Sequence, residues 1–143
     1  MIGIKSINTL HLLELNYDEL SKLSKIINCN GYYVFKMDSN DADILVHGRM
    51  FAPAIGINED PVTGNANGPL GAYLVHYNFV KHNNSSLKFK AKQGEAINWS
   101  GIIEVEVKIE DNEPTEIKIS GDAVVIFKSE LVLENKWSSC YRL

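Results

Sequence analysis

Apolar and polar positions alternate most regularly late in the chain, where Ile103, Val105, Val107 and Ile109 interleave with Glu104, Glu106, Lys108 and Glu110. A period of two marks a strand with one buried and one solvated face, the usual pattern of an antiparallel sheet. Asp111 to Pro114 supplies a hairpin turn, and Ile117 and Ile119 resume the pattern. Gly121 then precedes two further strand-like stretches, Ala123 to Phe127 and Leu131 to Leu133. Upstream, Tyr32 to Met37 (YYVFKM), Ile44 to Phe51 (ILVHGRMF) and Leu87 to Lys92 read as strands from their β-branched and aromatic content. Asp38 to Asp41 is the turn between the first two, and Gln93-Gly94 ends the third. Thr9 to Leu15 (TLHLLEL) is a short apolar run that also fits a strand.

Helical spacing occurs twice. Leu20, Leu23, Ile26 and Ile27 recur at helical intervals behind Asn16, which can cap the first turn with Glu19 three positions on, and Asn28, Asn30 and Gly31 close the segment. The second segment, ANGPLGAYLVHYNFV, is apolar on nearly every face, as expected of a buried helix. Pro69 limits where it starts, because only the first helical residues have N–H groups without an intrahelical partner; the helix therefore begins near Gly64 or Asn65. The sum is an α+β architecture over residues 1–143, a single domain in which a curved, mostly antiparallel sheet wraps one central helix, with a smaller helix outside.

Composition narrows the classes. The chain has 143 residues, 45% hydrophobic and 22% charged, with a net charge of -4. That is ordinary for a globular domain, and at this length folding buries roughly two-thirds of the unfolded surface. The acidic balance argues against nucleic acid, which needs clustered Lys and Arg. No apolar run approaches the roughly 20 residues that span a bilayer, so no membrane association is expected and a cytoplasmic location is. Cys29 and Cys140 are expected to be reduced, partly buried thiols, although sequence leaves a disulfide open. His11, His47, His76 and His82 show no ligand spacing, so no metal site is expected. Lys88, Lys90 and Lys92 read as a solvated strand face, Trp99 as partly core, and Trp137 as a tether for the chain end.

The stretch that carries chemistry is Glu59-Asp60-Pro61-Val62-Thr63-Gly64-Asn65-Ala66, which leads straight into the buried helix. Such a lead-in aims the N–H groups of Gly64, Asn65 and Ala66 at one spot, backed by the positive end of the helix dipole, and so suits an anion. Gly64 permits close approach of the backbone, while Thr63 and Asn65 add polar side chains. Asp60, held extended by Pro61, is an odd neighbour for an anion unless it meets a cationic group; a small zwitterion satisfies both. The alternative is that Asp60 or Thr63 only caps the helix while Pro61 and Gly64 only shape the turn, and spacing alone slightly favours that.

The exact residues change the balance. Arg49-Met50-Phe51-Ala52-Pro53, followed by the unbroken run from Gly56 to Leu74 (GINEDPVTGNANGPLGAYL), closely resembles the signature of the PhzF-like phenazine biosynthesis family. Gln93-Gly94, the strand Ile102 to Val107 and Gly121-Asp122-Ala123-Val124-Val125 match later landmarks in order, so the resemblance runs from about Thr9 to Leu133. It implies a fold similar to diaminopimelate epimerase, in which two pseudo-symmetric halves each wrap a sheet around a helix and the active site lies between them. It also implies a cofactor-free isomerisation, best known on dihydro-hydroxyanthranilate, with a glutamate moving a proton.

On this resemblance Asp60 corresponds to a ligand-contacting aspartate and is the candidate catalytic residue, while Thr63, Gly64, Asn65 and Ala66 are candidate substrate-binding residues. Asn65 stands where most members have serine. The chain matches the C-terminal half alone; the catalytic glutamate and a nearby histidine belong to the other half, and Glu59 is not that glutamate. Met1 suggests a genuine start. The expected ligand is a small carboxylate or amino acid-like molecule. The expected partner is a separate N-terminal-lobe subunit or a second copy in a homodimer, which would set two Asp60 loops face to face. A non-catalytic binding remnant is the alternative, and a scaffold with no small-molecule role the weaker one.

Overall fold

The computed structural model describes residues 1–37 and 43–131. The expected alternation becomes strand β6 (Gly101–Glu110), paired antiparallel with β7 (Glu113–Gly121). Asp111 and Asn112 connect them with φ of 52° and 63°, the two left-handed positions of a tight hairpin turn whose twist matches that of the strands. β5 (Ser86–Gln93) pairs antiparallel with the other side of β6 and parallel with β3 (Val46–Ala52). β2 (Tyr32–Met37) pairs antiparallel with β3 and parallel with the short β1 (Ile2–Gly3), giving the order β1-β2-β3-β5-β6-β7. β4 (Ile57–Asp60) lies off this path, antiparallel to β3.

Helix α3 (Gly64–His76) starts at Gly64 as expected and sits at the centre, but Pro69 is its sixth residue and lies inside the helix, so the proline does not set that start. Its Ala66, Leu70, Leu74 and Val75 join Tyr33, Phe35, Val46, Phe89, Ala91, Ile103, Val105, Val107 and Ile109 in one buried cluster, so β2, β3, β5 and β6 contribute to the core around it. Gly71 lets the helix come this close: a Cβ there would stand 2.8 Å from methyl groups of both Val105 and Val107.

Helix α2 (Tyr17–Ile27) lies outside, with Asn16 accepting the N–H of Glu19 at 3.1 Å and Asn28 left-handed at the other end. The Glu19 carboxylate turns to Lys22. Leu23, Ile26 and Ile27 face outward and Ser24 is the buried residue, hydrogen-bonded to the Tyr32 hydroxyl at 3.1 Å, so the helical spacing located the helix but not its inner face.

Three expectations are corrected. Thr9 to Leu15 is not a strand: α1 (Ile7–His11), capped by Ser6, occupies its first part. Leu10 alone is buried there, and the carbonyls of Leu10, His11 and Leu13 go to Arg49 rather than to a neighbouring strand. Ala123 to Phe127 forms no strand either. A run apolar at every position needs cover on both faces, and here no described strand lies beyond β7, so Val124 to Phe127 stand 74–91% exposed. Trp99 is 72% exposed instead of partly core. The expected turn at Asp38 to Asp41, most of the Leu131 to Leu133 stretch, Trp137 and Cys140 lie outside the described residues. Lys88 and Lys90 form the solvated face as read, each against a glutamate of β6, whereas Lys92 is half-buried and turns to Glu95. No helix among the described residues is long and apolar enough to cross a membrane.

Candidate functional site

Asp60 ends β4, directly opposite Met50 of β3, and Pro61-Val62-Thr63 carries the chain into α3. Thr63 occupies the cap position, yet its side chain makes no capping bond. Its hydroxyl donates to Asp60 Oδ2 at 2.5 Å instead. Neither side chain therefore caps the helix N-terminus, against the alternative in which capping is their role. The Thr63 carbonyl takes the N–H of Ala66 at 3.3 Å and of Asn67 at 3.2 Å. Ala66 is thus engaged and buried, and the expected three donors become two: among the described residues the N–H groups of Gly64 and Asn65 have no partner. The Asn65 side chain is exposed beside them, and Gly64, Asn65, Gly68 and Pro69 line an open groove of about 440 Å³ with Ile117 and Ile119 of β7. An uncapped helix start of 13 residues offers a partial positive charge to an anion in that groove.

Beneath the loop lies a polar network centred on the buried Gln93 and Asn67, which sequence reading did not assign to the site. Gln93, at the end of β5, sends Nε2 to the Asp60 carbonyl at 2.5 Å and to Thr63 Oγ1 at 2.9 Å, and its Oε1 accepts from Asn67 Nδ2 at 3.1 Å and the Thr63 N–H at 3.4 Å. Asn67 Nδ2 also reaches the Thr63 carbonyl at 2.9 Å, while its Oδ1 accepts from the Tyr33 hydroxyl at 2.8 Å. Burial pushes the Tyr33 phenol far above its usual range, the Asn67 bond offsetting part of the rise, so it stays a donor. The available signal was Asn67 itself, a lone amide four residues past Thr63 in a helix otherwise apolar on its inner face. Gly94 (φ 79°) follows Gln93 and brings this corner against the carbonyls of Pro61 and Trp99.

A second network braces β4 from behind. Arg49 and Glu59 are both buried and form a bidentate ion pair, Nε to Oε1 at 2.9 Å and Nη2 to Oε2 at 2.7 Å, with the guanidinium 4.9 Å over the Phe51 ring. Farther along, Glu95 meets His47 Nδ1 at 2.7 Å, Lys92 Nζ at 2.8 Å and His11 Nε2 at 3.6 Å. Burial alone would raise its carboxyl, but hydrogen bonds from His47 and Lys92 outweigh that and hold it below the usual carboxylate range. The described residues contain no group of three or more His, Cys, Asp or Glu placed to hold a metal.

A mostly antiparallel sheet packed on one central helix defines one lobe of the diaminopimelate epimerase-like fold. The family described as phenazine biosynthesis-like protein (PhzC-PhzF) matches residues 1–129, and the chain belongs to it. An uncharacterized isomerase of Clostridium acetobutylicum is 74% identical over 133 residues, 93% of this chain and 44% of the relative. A crystal structure of the Bacillus anthracis PhzF-family protein superposes with a TM-score of 0.73 at 26% identity, over 92% of this chain and 44% of that one. A hydroxyproline epimerase from Agrobacterium vitis, with bound trans-4-hydroxy-L-proline, shares the fold at 7% identity and a TM-score of 0.55, over 80% of this chain and 33% of its own. The chain therefore spans less than half the length of the relatives it matches.

Proposed function

We propose that this chain supplies one wall, corresponding to the C-terminal lobe, of a cofactor-free isomerase or epimerase-type site for a small amino- or hydroxy-carboxylic acid. One observation carries the reading: Thr63 holds the helix-cap position but gives its hydroxyl to Asp60, leaving the Gly64 and Asn65 N–H groups to an incoming carboxylate. Asp60 faces the amine or hydroxyl end of the same ligand and acts there as acid or base. The opposite wall, with the proton-moving glutamate, comes from a second lobe or subunit. Its contact face includes the exposed apolar residues Ile117, Ile119 and Val124 to Phe127.

The experiment is complementation. The chain is mixed with a polypeptide corresponding to the part of the Clostridium acetobutylicum relative that this chain does not match, and trans-2,3-dihydro-3-hydroxyanthranilate is followed in deuterated water. Deuterium incorporation that disappears in Asp60→Asn supports the enzyme. Retained ligand binding with no incorporation makes the chain a binding module, and neither binding nor incorporation removes the site.

A further inference from the structure

We infer that Gln93 is a positioning residue for Asp60, the centre of a one-way hydrogen-bond relay that commits the Thr63 proton to Oδ2 and leaves Oδ1 for the ligand. This rests on the reading of Asp60 as the ligand-facing carboxylate. The direction of the relay follows from its two backbone carbonyls, which can only accept. The Asp60 carbonyl lies 2.5 Å from one terminal atom of Gln93, so that atom is the amide nitrogen and the other is oxygen. The Thr63 carbonyl fixes Asn67 in the same way at 2.9 Å. With both amides oriented, the rest has no freedom. Tyr33 must donate to Asn67 Oδ1, Asn67 to Gln93 Oε1, and Gln93 to Thr63 Oγ1. The Thr63 oxygen is then an acceptor from Gln93, and its single proton has one acceptor in reach, Asp60 Oδ2.

Every proton and acceptor of the Gln93 amide is engaged, on a side chain with 0% exposure. Such a saturated network holds one geometry, because any rotation leaves a buried polar atom without a partner. Its output at the surface is a carboxylate fixed at one oxygen, with no described residue bonded to Oδ1. An oxygen left without a described partner can receive an ammonium or hydroxyl, and that separates this role from filling space.

The test is nuclear magnetic resonance on the whole chain without ligand, at pH 7, reading the Asp60 side chain: its Hα–Hβ couplings and its carboxyl ¹³C resonance. The wild type and Thr63→Ser, which keeps the hydroxyl, are expected to show the couplings of one fixed rotamer. Thr63→Val and Gln93→Met are expected to lose that pattern to rotamer averaging and to shift the carboxyl resonance in the same direction, with the double variant moving no further than either alone. Where Gln93→Met fails to fold, the Thr63→Ser and Thr63→Val pair at the half-buried loop position decides the matter. A fixed Asp60 rotamer in Thr63→Val, or in folded Gln93→Met, overturns the relay. Because no ligand is present, that failure is distinct from failure of the complementation experiment.

Discussion

Arg49 and Glu59 lock β3 to β4 one residue before Asp60: a bidentate pair, 2.7 and 2.9 Å long, buried on both sides. The same guanidinium gathers the carbonyls of Leu10, His11 and Leu13, so one side chain anchors the end of α1 and the strand that presents the candidate carboxylate. Removing one partner leaves the other charge buried and alone. Arg49→Met is expected to lower stability by about 3–5 kcal/mol, and Glu59→Gln by less, because its amide still accepts from Arg49. Urea unfolding monitored by circular dichroism checks the order; a loss under about 1 kcal/mol in Arg49→Met would place the pair among ordinary surface bridges.

The Tyr33 phenol gives a prediction at alkaline pH. Its folded pKa lies above its unfolded value, so the stability it contributes is complete below about pH 10 and declines as pH rises beyond that. Spectrophotometric titration of the folded chain should therefore show a tyrosine that does not ionise with the rest, and Tyr33→Phe should abolish that difference. The same substitution leaves Asn67 Oδ1 buried without a donor, at about 1–3 kcal/mol.

At the acid end Glu95 contributes. Its carboxyl is held below the usual range by His47 and Lys92 against the opposing effect of burial. A depressed folded pKa contributes stability above the unfolded value, near pH 4, and loses it as pH falls through the folded one. Thermal melting between pH 7 and pH 2 should show an acid-side loss that is smaller in Glu95→Gln. Equal slopes in the two proteins would remove Glu95 from the account.

Gly94 is the residue whose backbone, at φ 79°, no L side chain adopts without strain, and a Cβ there would collide with the Trp99 carbonyl. Gly94→Ala is expected to cost about 1–3 kcal/mol from the conformation alone. It should also disturb the amide signals of Thr63 and Gly64 through the neighbouring Gln93; an unchanged spectrum in that loop would disconnect the corner from the site.

The sequence made the sheet legible wherever a face was half-buried, as in β6, where Ile103 to Ile109 alternate with charges. It placed the start of α3 near Gly64 and drew Asp60, Thr63, Gly64 and Asn65 as candidates from one contiguous string. Local pattern failed where a distant partner decided the outcome. The carbonyls of Leu10, His11 and Leu13 belong to Arg49, some three dozen residues on, and so make a helix end of what reads as a strand. Gln93 lies 30 residues from Thr63, and no local pattern couples an amide at a strand end to a helix lead-in. Ala123 to Phe127 has strand composition without a strand beside it, because pairing needs a neighbour that composition cannot supply.

The central claim is that Asp60 and the open start of α3 together bind a small zwitterion. The most direct measurement is a ¹H–¹⁵N titration of the chain with L-proline, a small zwitterion, reading the Gly64 and Asn65 amides. The account predicts saturable shifts at these two amides, weaker by at least tenfold in Asp60→Asn, and none of that pattern with pyrrolidine, which has the amine but no carboxylate. Absence of shifts at Gly64 and Asn65 at millimolar ligand, or equal binding by Asp60→Asn, would contradict it.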